Sequence, residues 1–465
     1  IYIPAIHTTA LDKLTKDHIS KGQFAKDTVD TSAVTRSTTG NVSQSNNTTG
    51  NNSESKNTVT ICDTVTYQNL IPGFNYRVEG KLVDKATGDV IKDKAGKEVT
   101  ASSEFKPESK DGKTDVTFTF EPADDLAGKT LVAFETAYHG TAAYATHADL
   151  KDEGQTIYIP RIKTTAVDSQ TKDHIAYADE EVTITDTVTY ENLIPGKTYT
   201  VKGTLVDKET GKPIMVTTGG AVSAAPIESA ASDPSVKKDT VTSEKTFTAE
   251  KERGSVTLDF TVNAGTLAGH TVVAFEDLYM KGISVATHAD LSDEEQSVHI
   301  PEIKTQALTD KKTHYVQAGE KTTFTDTVTY KNLLPGKTYT LTGILMDKET
   351  GKPLETGTKT TDVSSSKTVT AATSSAIAVT TGTSVTFTPE KSDGTEKVEF
   401  TIDTSKLAGK TIVVFEKLYL GNVPVASHED LNDEDQSIHV IEIKTTAKDK
   451  STGDHDGAVT ENDIV

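Results

Sequence analysis

The sequence predicts an all-β protein made of three tandem β-sandwich domains. Three observations support this: one pattern recurs three times, its segments alternate apolar and polar residues, and helical periodicity is almost absent. A chain of 465 residues is too long for one hydrophobic core. Copies of about 140 to 150 residues match the usual domain size. We place the domains at 1–160, 161–301 and 302–441, with 442–465 as the start of a truncated fourth repeat.

Each copy opens with a short strand, IKTTA in the second copy, and continues into a longer alternating strand. In VTITDTVTY, at 182–190, apolar residues and one Asp share a face while four threonines lie on the other, so one face is buried. NLIPG then predicts a turn, and YTVKGTLVDKETG predicts a strand followed by another turn. Further short strands at regular spacing complete a pattern that is typical of a β-sandwich.

The copies differ in their insertions. A Ser/Thr/Asn-rich tract at 36–57 of the first copy predicts a surface loop. Ser/Thr/Ala-rich additions near 216–241 and 355–385 lengthen the second and third copies, and some are long enough for an extra hairpin. The connections between copies are minimal, as in IYIPRIKTTA, which favours a stiff rod over loosely linked domains.

Composition excludes several classes of function. A net charge of −21 without a Lys/Arg stripe would repel nucleic acid and anionic lipid, so we predict neither as a partner. The longest apolar runs fall far short of the ~20 residues that a membrane helix needs. The single cysteine, Cys62, excludes an intrachain disulfide, and we interpret it as incidental. We predict no metal and no cofactor.

Five polar residues recur at matching positions in every copy. Taken alone, a buried Thr or Gln is most simply satisfied by backbone, and the His is an exposed loop residue. However, the Thr, Asp, Glu and Gln all lie on apolar faces, and the Glu-to-His and His-to-Gln spacings are identical in the three copies. The third copy keeps only the inward threonine. The sets are Thr8, Asp63, Glu135, His147 and Gln155; Thr164, Asp186, Glu276, His288 and Gln296; and Thr305, Asp326, Glu416, His428 and Gln436.

These groups predict acyl transfer inside each domain. The histidine accepts the threonine proton, Oγ attacks the glutamine amide carbon, and ammonia leaves, which gives a side-chain ester. Two inward carboxylates that approach closely cannot both stay ionised, so one should hold a proton and donate it in a hydrogen bond to the developing oxyanion. Burial would protect the ester from water. Each domain reacts once, so the protein is not predicted to be an enzyme.

The segments VAFEDLY, VATHADL and DEEQSVHIP, together with IKTTA and TDTVTYENLIPG, resemble the Thr-Gln ester-bond domains of Gram-positive surface adhesins. These domains are immunoglobulin-like relatives of isopeptide-bonded pilin modules. The similarity covers essentially residues 1–440. It implies that the three threonines are ester donors, the three glutamines are acceptors, and the Asp, Glu and His of each copy catalyse bond formation. The related Lys-Asn isopeptide chemistry needs an Asn on the closing strand, which no copy has.

The resemblance implies a structural stalk of a bacterial cell-surface adhesin. Joining the first and last strands of each domain should give resistance to tension and proteases. The expected partners are adjacent repeats of the same chain and an unknown ligand bound through a tip outside this segment. We expect an extracellular location, with cell-wall anchoring through a region outside the segment. Thr445 opens the fourth copy and should stay unlinked.

The residues are also compatible with two other functions. A calcium-rigidified surface binding array would use the acidic stretches ADLKDEG, ADLSDEE and EDLNDED as ion sites, although these are more simply solvated loops. A secreted hydrolase would use the same Thr, His and carboxylates to cleave an external substrate. The recurrence of these groups in every copy, on core-facing sides of the strands, argues against a hydrolase. The ester predicts the loss of one ammonia per complete copy, whereas both alternatives predict none.

Overall fold

The computed structural model describes residues 3–27, 57–179, 181–217, 222–223, 238–319, 321–354, 382–448, 450 and 453–455. Its regular elements in these ranges are β-strands and single turns of 3-10 helix, so the all-β sandwich prediction is confirmed. No helix among the described residues has the length and apolar character needed to cross a membrane. The chain divides into two compact units, Ile1–Ile300 and Pro301–Val465. The loop predicted at 36–57, apart from its last residue, and most of the 355–385 addition lie outside the described residues.

The first repeat consists of two facing sheets. Its strands are β1 (Ala5–Asp12), β2 (Val59–Gln68), β3 (Tyr76–Asp84), β4 (Thr100–Phe105), β5 (Gly112–Phe120), β6 (Thr130–His139), β7 (Ala142–His147) and β8 (Thr156–Tyr158). One sheet has three strands in the order β1-β2-β5, and the other has the order β4-β3-β6-β7 with β8 paired to β6. Between the sheets lies a core of alternating residues from both, including Val65, Leu82 and Phe118.

The second repeat has the same plan with one addition. Its strands are β9 (Arg161–Asp168), β10 (Val182–Glu191), β11 (Thr198–Asp207), β12 (Lys212–Pro213), β13 (Met215–Thr217), β14 (Val222–Ser223), β15 (Lys238–Thr240), β16 (Thr242–Thr248), β17 (Gly254–Val262), β18 (Thr271–Met280), β19 (Ile283–His288) and β20 (Ser297–His299). The sheets have the orders β17-β10-β9 and β12-β11-β18-β19, with β16 on β11 and β20 on β18. A small sheet of order β14-β13-β15 lies where the sequence predicted room for an extra hairpin.

The third repeat again consists of a three-stranded sheet and a larger one. Its strands are β21 (Glu302–Thr309), β22 (Tyr315–Gln317), β23 (Thr322–Lys331), β24 (Tyr339–Asp347), β25 (Lys352–Pro353), β26 (Gly382–Phe387), β27 (Gly394–Ile402), β28 (Thr411–Leu420), β29 (Val423–His428) and β30 (Ser437–Ile441). The three-stranded sheet has the order β21-β23-β27, and the larger sheet has the order β22-β30-β28-β24-β25 with β26 paired to β24 and β29 paired to β28.

In each repeat a glycine in the middle of a strand, opposite the buried glutamate, leaves space for an aromatic ring of the core. Gly80 of β3 pairs with Glu135 of β6. A Cβ at Gly80 would lie 2.7 Å from Cζ of Phe118, so any side chain there would push the ring out of its packing. Glycines 203 and 343 pair with the corresponding glutamates of the other two repeats.

The first and second repeats are packed together within one unit. Ile19 of the first repeat is fully buried in the core cluster of the second. Asn192 of the second repeat has a positive φ of 62°, and its amide Nδ2 donates to the carbonyl oxygens of Lys129 and Ile159. Asparagine tolerates this left-handed conformation better than most residues. The short linker therefore continues into a specific interface.

Candidate functional site

The threonine of each set lies on the buried face of an edge strand. Thr8 on β1 is 6% exposed, and its neighbours Ile6 and Ala10 on the same face are also buried. Thr164 on β9 and Thr305 on β21 are equally buried. The inward orientation predicted from alternation is therefore what the structure has.

The glutamine approaches from the opposite sheet, but it does not lie on a strand. Gln155 is the last residue of a one-turn 3-10 helix, Glu153–Gln155, immediately before β8. Gln296 closes the corresponding helix, Glu294–Gln296, before β20. Both side chains are fully buried. The sequence interpretation had placed them on the closing strand; instead, the turn delivers the amide into the core and the strand follows it.

In the first repeat the predicted threonine and glutamate meet at the amide of the predicted glutamine. Gln155 Nε2 donates to the hydroxyl oxygen of Thr8 and, at 2.6 Å, to Oε2 of Glu135. The Thr8 hydroxyl itself lies 3.2 Å from the same carboxyl oxygen. Glu135 pairs across the sheet with His147, and Asp63 pairs with Ala10 on the threonine strand. A hydroxyl, an amide and a carboxyl are thus in mutual contact, and all three side chains are buried.

The third repeat reproduces this contact independently. Gln436 Nε2 donates to Thr305 Oγ1 at 2.9 Å and to Glu416 Oε2 at 3.0 Å. His428 lies with Nδ1 3.2 Å from the carbonyl oxygen of Ile303, and His147 has the same relation to Ile6 in the first repeat. Two copies with different insertions therefore share one geometry.

The second repeat differs in one contact. Gln296 Nε2 donates to Glu276 Oε2 at 2.8 Å, as in the other copies, but its further partner is the carbonyl oxygen of Ala274 at 2.6 Å. Among the described residues, no well-formed hydrogen bond reaches the buried hydroxyl of Thr164. Thr164 and His288 also line a pocket of about 380 Å³, which is bordered by Arg161, Lys163, Thr165, Thr189, Glu191, Asp293 and Glu295.

Comparison with known protein families gives the classification. The model of the T-Q ester bond containing domain matches residues 4–159, 160–300 and 301–440. The chain belongs to this family. The resemblance predicted from the sequence is thereby confirmed at the level of the domain family.

Solved structures similar to this T-Q ester bond protein have low identity to it. A Mobiluncus mulieris adhesin containing intramolecular disulfide, isopeptide and ester bond cross-links is 15% identical, covering 66% of this chain and 88% of its own, with a TM-score of 0.23. The C-terminal domain of a Streptococcus agalactiae AgI/II polypeptide is 9% identical, covering 62% and 100%, with a TM-score of 0.25. No protein with a curated function matches the sequence.

In each T-Q ester bond repeat, one of the two buried carboxyls is protonated and the other is ionised. Burial, together with the hydrogen bond and negative charge of Asp63, raises the pKa of Glu135 to about 11. Burial also raises the pKa of Asp63, and the hydrogen bond from Glu135 partly offsets this rise. In the second repeat burial raises the pKa of Asp186 to about 6 and that of Glu276 well above its ordinary value. The glutamate therefore holds the proton at neutral pH, and the aspartate is the acidic partner.

The location of this proton explains otherwise unpaired atoms. If both acids were ionised, no well-formed hydrogen bond from the described residues would reach either oxygen of Asp63 or Oε1 of Glu135. Because Glu135 Oε2 already accepts from Gln155 and Thr8, a proton on Oε1 can donate to Asp63 and satisfy both groups. The sequence hypothesis had the protonated acid donating to the amide oxygen. The contacts instead place the glutamate against the amide nitrogen, so it orients the amide.

Sequence reasoning missed one residue of the site. Asp152, five positions after His147, has its Oδ2 hydrogen-bonded to Nε2 of His147 at 2.7 Å. Its other oxygen accepts from the backbone N–H of Gly154 at the start of the 3-10 turn. Asp293 and Asp433 hold His288 and His428 in the same way at 3.0 and 2.9 Å. The recurrence of this Asp in the acidic stretches was the available signal, which had been interpreted as a solvated loop or a calcium ligand.

Two remaining groups lie away from these sites. Cys62 is a free, partly buried thiol on the outward face of β2, and burial raises its pKa. Among the described residues one His/Asp/Glu cluster has metal-ligand proximity, formed by Asp207, Glu209 and His270, outside the predicted acidic stretches. In the first and third repeats a lysine occupies the position of His270: Lys129 pairs with Asp84, and Lys410 pairs with Asp347.

The proton on Glu135 predicts a dependence of stability on pH. Because its folded pKa of about 11 exceeds its ordinary value of 4.5, its contribution is complete below pH 4.5 and is lost as pH rises toward 11. In the Gln155→Ala variant, which has no acceptor amide, the free energy of unfolding of the first repeat should fall between about pH 5 and pH 9, by at most about 1.4 kcal/mol per pH unit for this group. Urea denaturation across this range measures it. Adding Glu135→Gln, which is neutral at every pH, should flatten the slope; an unchanged slope would contradict the assignment.

Proposed function

We propose that this chain is a load-bearing stalk segment of a bacterial surface adhesin, in which every complete repeat forms an ester between its buried threonine and glutamine. The observation that carries the proposal is the contact of amide, hydroxyl and protonated carboxyl in the first and third repeats. Such a contact between the reacting groups supplies the proximity that acyl transfer needs, and the histidine lies on the neighbouring strand, paired with the glutamate.

The proposed step balances within the domain. The threonine hydroxyl gives its proton to the histidine as Oγ bonds to the side-chain amide carbon of the glutamine. The carbon–nitrogen bond then breaks, and the nitrogen leaves as ammonia with the proton held by the histidine. The glutamate orients the amide nitrogen, and the aspartate at His147 Nε2 orients the imidazole and stabilises its positive charge. The reaction consumes its own side chains, so each repeat turns over once and is not an enzyme.

The mechanical role follows from where the bond would lie. The chain enters the first repeat on β1, which carries Thr8, and leaves it on β8, directly after Gln155. An ester between these residues joins the entry and exit strands, so a pulling force would pass through the covalent link and leave the sandwich core unloaded. The single cysteine means that no intrachain disulfide can provide this reinforcement. An extracellular, surface-attached location follows from the resemblance to adhesin domains.

Intact mass tests the chemistry. The purified chain should weigh less than its formula by three molecules of ammonia, one for each complete repeat. Thr164→Ala should reduce the deficit to two, because the nucleophile of the second repeat is gone. Thr165→Ala is the matched control, since Thr165 lies on the exposed face of the same strand and should leave the deficit at three. Peptide mapping should recover Thr164 and Gln296 in one cross-linked species. A chain with the full formula mass would refute the proposal.

A further inference from the structure

Three side chains that carry metal-ligand atoms converge at one end of the second repeat. Asp207 ends β11, Glu209 lies in the turn that follows, and His270 immediately precedes β18. Nδ1 of His270 lies 2.8 Å from Oδ2 of Asp207 and 3.6 Å from Oε2 of Glu209. All three ligand atoms lie within 4.8 Å of one another. An ion bonded to each atom at about 2.0 to 2.2 Å holds its ligands about 3 to 4 Å apart, so small side-chain rotations bring all three to one ion.

The carboxylate of Asp207 is fixed in position by the turn. Its side chain is fully buried, and its Oδ1 accepts hydrogen bonds from the backbone N–H and the hydroxyl of Thr210 at 2.8 and 2.6 Å. The other oxygen, Oδ2, faces the imidazole of His270. Hydrogen bonds to a carboxylate ligand orient it for a metal ion. The side chains of Glu209 and His270 are 47% and 36% exposed, so an ion reaches all three ligands from the solvent without opening the core.

The other two repeats place a lysine ammonium beside the corresponding aspartate. The sequence LAGKT of the first and third repeats is LAGHT in the second, with His270 at the lysine position. Lys129 Nζ lies 3.6 Å from Asp84, and Lys410 Nζ lies 2.6 Å from Asp347. Buried charges in proteins are paired or coordinate metals. In the second repeat the fixed positive charge of the lysine is replaced by an imidazole, which is a metal ligand where an ammonium is not.

We propose that Asp207, Glu209 and His270 form a binding site for a divalent transition-metal ion of the zinc type. Imidazole nitrogen and carboxylate oxygen are both ligands that Zn²⁺ uses, and three protein ligands with one water complete a tetrahedral site. The ion supplies the positive charge that a lysine supplies in the other repeats, and it replaces the hydrogen between Nδ1 and Oδ2. It thereby joins the turn after β11 to the start of β18. Ion binding here does not depend on the ester.

The nitrogen in this ligand set selects the class of ion. Ca²⁺ takes about six to eight oxygen ligands, and Mg²⁺ also prefers oxygen and keeps several waters. An imidazole with two carboxylates suits Zn²⁺ and its spectroscopic substitute Co²⁺ better than either. The three residues also lie outside the acidic stretches that a calcium-binding array would use. The site therefore differs from a calcium site in both its position and its chemistry.

Zinc titration of the whole chain tests the proposal. Full-length protein is freed of metal with EDTA, dialysed and titrated with zinc chloride in an isothermal calorimeter. The wild type should bind one Zn²⁺ per chain at this site. His270→Lys gives the second repeat the residue that the other repeats have, so it should fold and weaken zinc binding by about tenfold or more. Glu209→Ala copies Ala86 of the first repeat and should also weaken binding.

Glu349→Ala is the matched control. It makes the same substitution at the corresponding position of the third repeat, where Lys410 stands in place of the histidine, and it should leave the zinc affinity at the wild-type value. Circular dichroism checks that each variant is folded. No zinc uptake by the wild type would overturn the proposal. Uptake that is unchanged in His270→Lys, or weakened equally by Glu349→Ala, would show adventitious binding elsewhere and would overturn it as well.

Cobalt provides a second measurement on the same proteins. Co²⁺ bound to an imidazole and two carboxylates should give visible absorption bands in the wild type, and these bands should be lost in His270→Lys and displaced by one equivalent of zinc. Calcium chloride at the same concentration should leave the bands unchanged. Bands that persist in His270→Lys, or that calcium removes, would contradict the assignment of these three ligands.

Discussion

Stretching the chain from its two ends should leave the third repeat unextended, whereas the Gln436→Ala variant should release an extra step of roughly 400 Å, the length of the freed chain. The reason is that 131 positions separate Thr305 from Gln436, and the proposed ester shields all of them from tension. Without the acceptor amide, the force passes through the hydrogen bonds of the sandwich. Single-molecule force spectroscopy resolves a step of this size directly.

Gln306→Ala is the matched control for this experiment. Gln306 follows Thr305 on the exposed face of β21, so its loss changes a glutamine to alanine beside the site without removing the acceptor. This variant should stretch like the wild-type chain. A wild-type chain that already shows full-length extension steps would rule out the load-bearing role, whatever its mass.

Thr8→Ala should lower the free energy of unfolding of the first repeat by about 5 kcal/mol, on the loop-entropy model developed for disulfides. The ester would close a loop of 147 positions between Thr8 and Gln155, which restricts the unfolded chain. A loss of this size corresponds to a fall of roughly 10 to 20 °C in the melting temperature of a domain of this length. Thermal denaturation, with the first repeat followed by limited proteolysis, measures the change.

Two controls separate the ester from the packing of the threonine itself. Thr9→Ala changes the exposed neighbour on β1 and should leave the melting temperature unchanged. Thr8→Ser keeps a hydroxyl nucleophile at the same place and should retain both the ammonia deficit and most of the stability. If Thr8→Ala loses the cross-link but melts with the wild type, the bond contributes to mechanics alone and the stability argument is wrong.

The alternation of residues and the threefold repeat were enough to determine the fold class and the buried faces. A strand has a side-chain period of two, so Thr164, Asp186 and Glu276 could be placed on core faces by counting along their own segments. Their common recurrence indicated that the buried polar groups act as a set. These are local properties of the chain, and they survive in the structure because the sheets pack by those same faces.

Only the tertiary structure decided how the groups are oriented and which residues of another repeat contact them. The proton on Glu135 rather than Asp63, and the glutamate facing the amide nitrogen, depend on burial and on distances across two sheets. The contact of Gln23 with His288 joins residues of different repeats, and no periodicity encodes it. The alternation of side chains is a property of a single strand and can be seen in the sequence. The location of a proton and the hydrogen bonds of a side chain depend on atoms that folding brings together from distant parts of the chain.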